Sequence, residues 1–175
     1  MAKIILLSAD KGSGKTTALI RLLEKLTTLS VSARGVVCPP VEEEGFKVAI
    51  NLLDVSTGDE KRMAVPKTDE SIEPSGLHWR FDANTLDWGN QVLANAVPCD
   101  ILFVDEMGPL EFNRGEGLMN GFAAIDSRRY LVALVTIRPS LLDAATRRWP
   151  DAEVYEVNRK DQSRLVNDLF RQITK

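Results

Sequence analysis

The chain has one histidine, His78, in 175 residues. A zinc site built from several histidines is therefore excluded. Its two cysteines, Cys38 and Cys99, stand far apart and in no metal-like spacing. In a domain of this size they read as inert free thiols of a reducing compartment. Positive charge is in deficit: 22 Lys and Arg stand against 25 Asp and Glu, for a net charge of -3. That argues against nucleic acid as the main partner, although a local basic patch remains compatible with it. Long hydrophobic runs are missing as well. The N-terminal run, Ile4 to Leu7, is too short for a signal-peptide core and far too short to cross a bilayer. No membrane partner is expected, and a cytoplasmic location is. Repeats, low-complexity tracts and domain linkers are absent from the sequence.

What is present suits one ordinary domain over 1–175. With 44% hydrophobic and 27% charged residues the chain can bury a proper core. Apolar strand-length runs at Lys3–Ser8, Ser32–Val37, 101–104, Tyr130–Thr136 and Glu153–Val157 alternate with helical patterns. The helices are expected at Gly14–Thr27, Ala83–Val97, Gly115–Ser127, Pro139–Trp149 and Asp161–Thr174. Phe46–Val55 and Lys61–Val65, joined by the turn cluster Ser56-Thr57-Gly58-Asp59, read as a hairpin inserted between the parallel strands. Residues 66–76 read as an exposed loop. Alternating strands and helices imply right-handed crossovers and a parallel sheet covered on both faces. The fold class is α/β, and continuous runs such as 131–135 fit strands buried on both sides.

Directly behind the first run comes SADKGSGKTT, residues 8–17. A strand, a glycine-rich turn and a helix form the setting of a phosphate-binding loop. Backbone N–H groups from Lys11 to Thr16 can point into one concavity, and the following helix adds the positive end of its dipole. Ala9, Asp10, Lys11, Gly12, Ser13, Gly14, Lys15, Thr16 and Thr17 are the expected phosphate-binding residues. Lys15 would reach the β- and γ-phosphates, and the Thr16 hydroxyl would coordinate Mg2+. Ser13 and Thr17 would line the rim and the α-phosphate side. The strict pattern wants glycine at position 9, where this chain has Ala9.

ILFVDE, residues 101–106, supplies the expected partner element. A buried strand would deliver acidic residues beside the loop, since ligands bind at the carboxyl ends of such strands. Asp105 would hold Mg2+, and Glu106 would orient or deprotonate an attacking water. Phosphoryl transfer needs both charge neutralisation and a positioned nucleophile.

DEMGPLEF, residues 105–112, is similar to the Asp-Glu-Ile-Gly-x-Met-Glu-Leu signature of the thermophilic nucleoside-triphosphatase family. That family also includes the cancer-related nucleoside-triphosphatase of vertebrates. GKTT at 14–17, RGVVCPPV at 34–41 with the hairpin behind it, and EVNRKD at 156–161 resemble its other pieces in the same order. The resemblance implies a three-layer P-loop NTPase fold, with a mostly parallel central sheet and a β-hairpin insertion. It also implies Mg2+-dependent hydrolysis of nucleoside triphosphates with broad base preference and slow turnover.

Weaker signals remain. Asn158-Arg159-Lys160-Asp161 imitates the base-reading spacing of GTPases. Asn158 and Arg159 would then touch the base and Asp161 would accept from guanine; the competing reading is a polar turn in which Asp161 caps the last helix. Arg114 and Arg138 each follow a strand ending near the phosphates, and either is a candidate to stabilise developing charge. Glu111, within the family-like signature, is a candidate to support metal or water. Trp79, Trp88 and His78 fit packing better than base contact, and Arg147-Arg148 fits a solvated helix face. Two other functions stay open: a kinase passing phosphoryl to a small acceptor, and a slow nucleotide-dependent switch. The sequence identifies no protein partner.

Overall fold

The computed structural model describes residues 2–10, 12–67 and 78–174. Its frame is a parallel set of five strands: β1 (Lys3–Ser8), β2 (Ala33–Val37), β7 (Ile101–Met107), β8 (Val132–Ile137) and β9 (Glu153–Glu156). In space they run β2-β7-β8-β1-β9. Successive side chains of a strand point to opposite faces, and here both faces are apolar. Ile4 and Leu6 of β1, Leu102 and Val104 of β7, and Ala133 and Val135 of β8 enter one core. Ile5 and Leu7, Ile101 and Phe103, and Val132 and Leu134 enter the other. That is why these strands read as unbroken apolar runs.

Helices cover both faces. α1 (Lys15–Leu26) and α6 (Gln162–Ile173) pack on the second core through Leu19, Leu22, Leu165 and Leu169. α2 (Ala83–Ala94), α4 (Asn120–Asp126) and α5 (Leu142–Arg148) close the first through Leu93, Ile125 and Ala145. The sheet thus separates two cores.

The sheet is mixed rather than mostly parallel. Four strands extend it past β2: β3 (Pro40–Glu43), β4 (Phe46–Asp54), β5 (Glu60–Pro66) and β6 (Trp79–Phe81). All pair antiparallel, β4 with β2, β3 and β5, and β5 with β6. The β4–β5 hairpin lies between the parallel strands in the sequence but beyond their edge in space. Its turn is set by Asp54, whose Oδ1 accepts from Ser56 N at 2.8 Å, and by Gly58 with φ 80°. β3 and β6, four and three residues long, are too short to stand out in the sequence. Of the loop expected over 66–76, Pro66 ends β5 and residues 68–76 lie outside those described.

Two further expectations change. The helix expected over Gly115–Ser127 contracts to α4, because Gly115 and Gly117 hold φ of 65° and 79° and interrupt it. A short helix, α3 (Pro109–Arg114), precedes it, with proline at its first turn. Pro139 opens a 3-10 turn over Pro139–Leu141 before α5. Gly35 in β2 has a separate reason to be glycine. With φ 108°, a Cβ there would lie 2.0 Å from the Phe103 carbonyl oxygen.

Candidate active site

The loop from β1 to α1 ends in Gly14, whose φ of 91° turns the chain into the helix. Gly12 takes φ 78°. Left-handed backbone at both points is what these glycines permit and other residues resist. Ser13 N and Oγ both donate to the Asp10 carbonyl, at 3.2 and 2.5 Å. The Lys15 ammonium folds over the loop and donates to the Ala9 and Asp10 carbonyls. Ala9 has no left-handed backbone, and its methyl is buried in the core beneath the loop. Alanine therefore fits a position where the strict motif has glycine. Lys11 lies outside the described residues.

The end of β7 meets this loop. Asp105 is fully buried, and four donors converge on it. Thr16 Oγ1 and Cys38 N donate to Oδ2, at 2.8 and 2.9 Å. Thr136 Oγ1 and Glu106 N donate to Oδ1, at 2.5 and 3.0 Å. Burial, and then the neighbouring Glu106, push the Asp105 pKa up to about 6 against those hydrogen bonds. Glu106 takes φ 63°, a left-handed conformation that costs a non-glycine residue roughly 1 kcal/mol or more. The ladder between β7 and β8 shifts register here, between Val104 and Met107. The turn swings the Glu106 side chain into an open cleft of about 420 Å³, lined also by Gly12–Thr17 and Arg138. Burial lowers the Lys15 pKa, Glu106 and Asp105 oppose that, and Arg138 adds to it. Lysine, arginine and the acidic pair thus share one small space.

A family model described as NTPase matches residues 4–170 of the chain. The chain belongs to this NTPase family.

The nucleoside-triphosphatase THEP1 of Thermofilum pendens is 28% identical over 177 residues, covering 98% of this chain and 96% of its own. That of Caldivirga maquilingensis is 25% identical over 134 residues, covering 77% of this chain and 75% of its own. The solution structure of a human cancer-related nucleoside triphosphatase has the same fold, with a TM-score of 0.70 at 19% identity, covering 98% of this chain and 97% of that one. The protein is an NTPase enzyme, and the family-like signature in its sequence reflects that membership.

The remaining sequence-predicted residues of the NTPase separate by position. Glu111 is buried and both its oxygens are occupied. Oε2 accepts from Gly108 N and Oε1 from Leu118 N, each at 2.9 Å. These two bonds tie the segment after β7 into a closed loop, and Glu111 also lines the cleft. Arg138 lines the cleft, whereas Arg114 is exposed at the end of α3 and does not. Asn158 is not among the residues that line the cleft; its Oδ1 accepts from Lys160 N at 3.1 Å, capping the short turn before α6. Asp161 makes no side-chain cap to α6; the side-chain cap found here is that of Asn158 on the turn before it. Arg159 does line the cleft, and its Nε donates to Gly12 O at 2.7 Å. Trp88 sits under the Lys61 ammonium, away from the site.

Sequence reasoning missed Gln162 and Thr136. Gln162 is buried, and its Nε2 donates to Gly14 O at 2.6 Å. With Arg159 it holds the glycine loop from behind. Its signal was a polar residue on the inward face of an otherwise apolar helix. Thr136 lies in a wholly buried strand, where a hydroxyl needs a partner; Asp105, one strand away, is that partner.

Among the described residues no group of three or more His, Cys, Asp or Glu is placed to hold a metal. Mg2+ rarely needs one. It is held by one or two protein oxygens, with substrate phosphates and water completing its shell. The Thr16 hydroxyl and the Asp105 carboxylate, already 2.8 Å apart, are a hard-oxygen pair of that kind.

Proposed function

We propose that this enzyme hydrolyses the β–γ bond of nucleoside triphosphates with Mg2+, in the cytoplasm and with little preference among bases. One observation carries the reading. The loop hydroxyl of Thr16 and the β7 carboxylate of Asp105 converge at 2.8 Å, with Glu106 beside them facing the cleft. Mg2+ bound to Thr16 and Asp105 would neutralise charge on the β- and γ-phosphates. The amides of residues 12–16 and the Lys15 ammonium hold the phosphate chain, Ser13 N and Lys15 exchanging loop carbonyls for phosphate oxygens. Glu106 orients the attacking water and takes its proton, and Arg138 offsets charge as the bond to the leaving diphosphate breaks. The γ-phosphate must meet Asp105 and Glu106, so the nucleoside trails away from β7, toward Arg159. A guanidinium there stacks on any base. No carboxylate–amide pair reading a base edge lines the cleft among the described residues, which supports the broad preference.

The test is phosphate release from ATP, GTP, CTP and UTP. Wild type should release phosphate from all four, with kcat/KM values within about tenfold of one another, a spread under roughly 1.4 kcal/mol. Lys15→Ala should lose triphosphate binding. Glu106→Gln should bind normally and lose about 100-fold or more in kcat, the scale of a lost general base. Full turnover in Glu106→Gln would remove Glu106 from the reaction.

A further inference from the structure

The cleft crosses nearly the whole width of the sheet. Taken in strand order it runs from Arg159 and Gln162 beside β9, over the β1 loop, past Arg138 of β8 and Glu106 of β7, to Ile50 of β4, Met63 of β5 and Trp79 of β6. The strand spacing of about 4.7 Å puts β6 roughly 19 Å from β7. A triphosphate seated on the loop with its γ end at Glu106 occupies the side toward β9. The side toward β6 lies beyond the γ-phosphate.

That outer lobe is a different chemical environment. Its walls are Ile50, Met63, Trp79 and Phe81 from the added strands, and Leu110 and Leu118 from the segment after β7. Its charges are at the edge: Glu42 on β3, and Lys47, whose ammonium stands 5.1 Å from the Trp79 ring centre. A water nucleophile needs none of this surface. A cleft wall that is apolar with a few polar groups at its edge marks a ligand site. Position fixes what the ligand must offer, because the lobe opens onto Glu106 on the side away from the leaving diphosphate.

We infer that this lobe seats a small, flat, mostly apolar alcohol, and that the enzyme transfers the γ-phosphoryl group to its hydroxyl. The inference rests on the triphosphate reading given above. The alcohol oxygen forms a bond to the γ-phosphorus in line with the bond that breaks, the one to the β–γ bridging oxygen. The hydroxyl proton passes to Glu106, and the bonding pair leaves with the nucleoside diphosphate. The products are a phosphate monoester and a nucleoside diphosphate, with no change of oxidation state. Trp79 and Phe81 supply aromatic surface to the wall, and Lys47 and Glu42 offer partners for a polar substituent at the far end of the alcohol.

The experiment incubates the full chain and Mg2+ with ATP labelled at the γ-phosphate. It does so alone, with 2-naphthalenemethanol, and with the low-molecular-weight filtrate of a cell extract, and it separates labelled orthophosphate from labelled organic esters. The expected result is orthophosphate in the first arm and labelled ester in at least one of the others. The ester-to-orthophosphate ratio should fall about tenfold or more in Trp79→Ala and in Leu110→Ala, as expected for loss of one buried apolar contact surface. The ratio does not depend on how much enzyme is folded, so partial misfolding of a variant leaves the test intact. Orthophosphate in every arm with no ester overturns the inference and leaves the hydrolase reading standing. Ester without orthophosphate supports the inference and overturns hydrolysis as the task. Neither product overturns both. Ester formed at an unchanged ratio in both variants removes the outer lobe from acceptor binding.

Discussion

Glu106 is asked to do two incompatible things, and the incompatibility can be measured. Its side chain must reach the cleft, so its backbone takes φ 63° at a break in the β7–β8 ladder. Glycine relieves that strain and alanine does not. Glu106→Gly should therefore be more stable than Glu106→Ala by about 1 kcal/mol, or roughly 2–4 °C in melting temperature for a chain of this size. Both should lose turnover alike. Equal melting temperatures would mean the left-handed turn stores no strain. Glu111 gives a second residue-scale prediction. Burial holds its pKa above the ordinary 4.5, against the amides of Leu118 and Gly108. The folded chain therefore binds this proton more tightly than the unfolded chain does. Glu111's contribution to stability is smallest at neutral pH and grows as pH falls through the window between 4.5 and the raised folded value. Glu111→Gln has no such proton, and it faces two amide donors with one acceptor oxygen. Urea denaturation should find the variant less stable at neutral pH by about 1–3 kcal/mol. The gap to wild type should widen toward acid. A gap constant with pH would contradict a raised folded pKa.

At the scale of elements, α6 acts as a clamp on a loop it does not adjoin in sequence. Gln162 and Arg159 donate to the Gly14 and Gly12 carbonyls, and these bonds hold the curvature of the loop that lines the cleft. Gln162→Ala should raise the triphosphate dissociation constant about 5- to 10-fold, the worth of one hydrogen bond of roughly 1 kcal/mol. It should leave kcat nearly unchanged, since Glu106 stays in place; isothermal titration and turnover on the same preparation separate the two. This clamp also marks how far the sequence could be read. The loop, α1 and β7 were legible because each is a local pattern: a glycine turn behind an apolar strand, a leucine stripe, and an acidic pair closing a buried run. Gln162 is harder to read, because its one local signal, a polar residue on the inward face of α6, does not name a partner 148 residues away. β3 and β6 were hidden for a related reason. Pro40–Glu43 and Trp79–Phe81 are too short to carry a readable pattern and become strands by pairing with β4 and β5. The sheet accordingly looked more parallel in the sequence than it is. Glu111 reads as chemistry in the sequence because it is a carboxylate in a motif; the structure adds what no local pattern shows, that each of its oxygens holds a backbone amide.

For the whole molecule, what matters is that the sheet divides the apolar interior in two. The phosphate loop stands on one core, through Ala9, Ala18, Leu19 and Leu165. The outer lobe stands on the other, through Ile50, Met63, Leu93 and Leu118. Leu19 and Leu93 are both fully buried, one on each side. Truncating either to alanine should destabilise the chain by about 2–5 kcal/mol. Because the sheet lies between them and they share no core, the double variant should show the sum of the two within about 0.5 kcal/mol. A departure well beyond that would mean the sheet transmits repacking from one face to the other. The two variants should also damage different functions. Leu19→Ala loosens the seat of the phosphates, so it should weaken triphosphate binding most. Leu93→Ala loosens the support of β4 and β5, so it should spare that binding and lower the share of phosphoryl that reaches an alcohol. If both variants weaken triphosphate binding equally, the cleft behaves as one mechanical unit. The separation of phosphate seat from outer lobe would then be one of lining chemistry only.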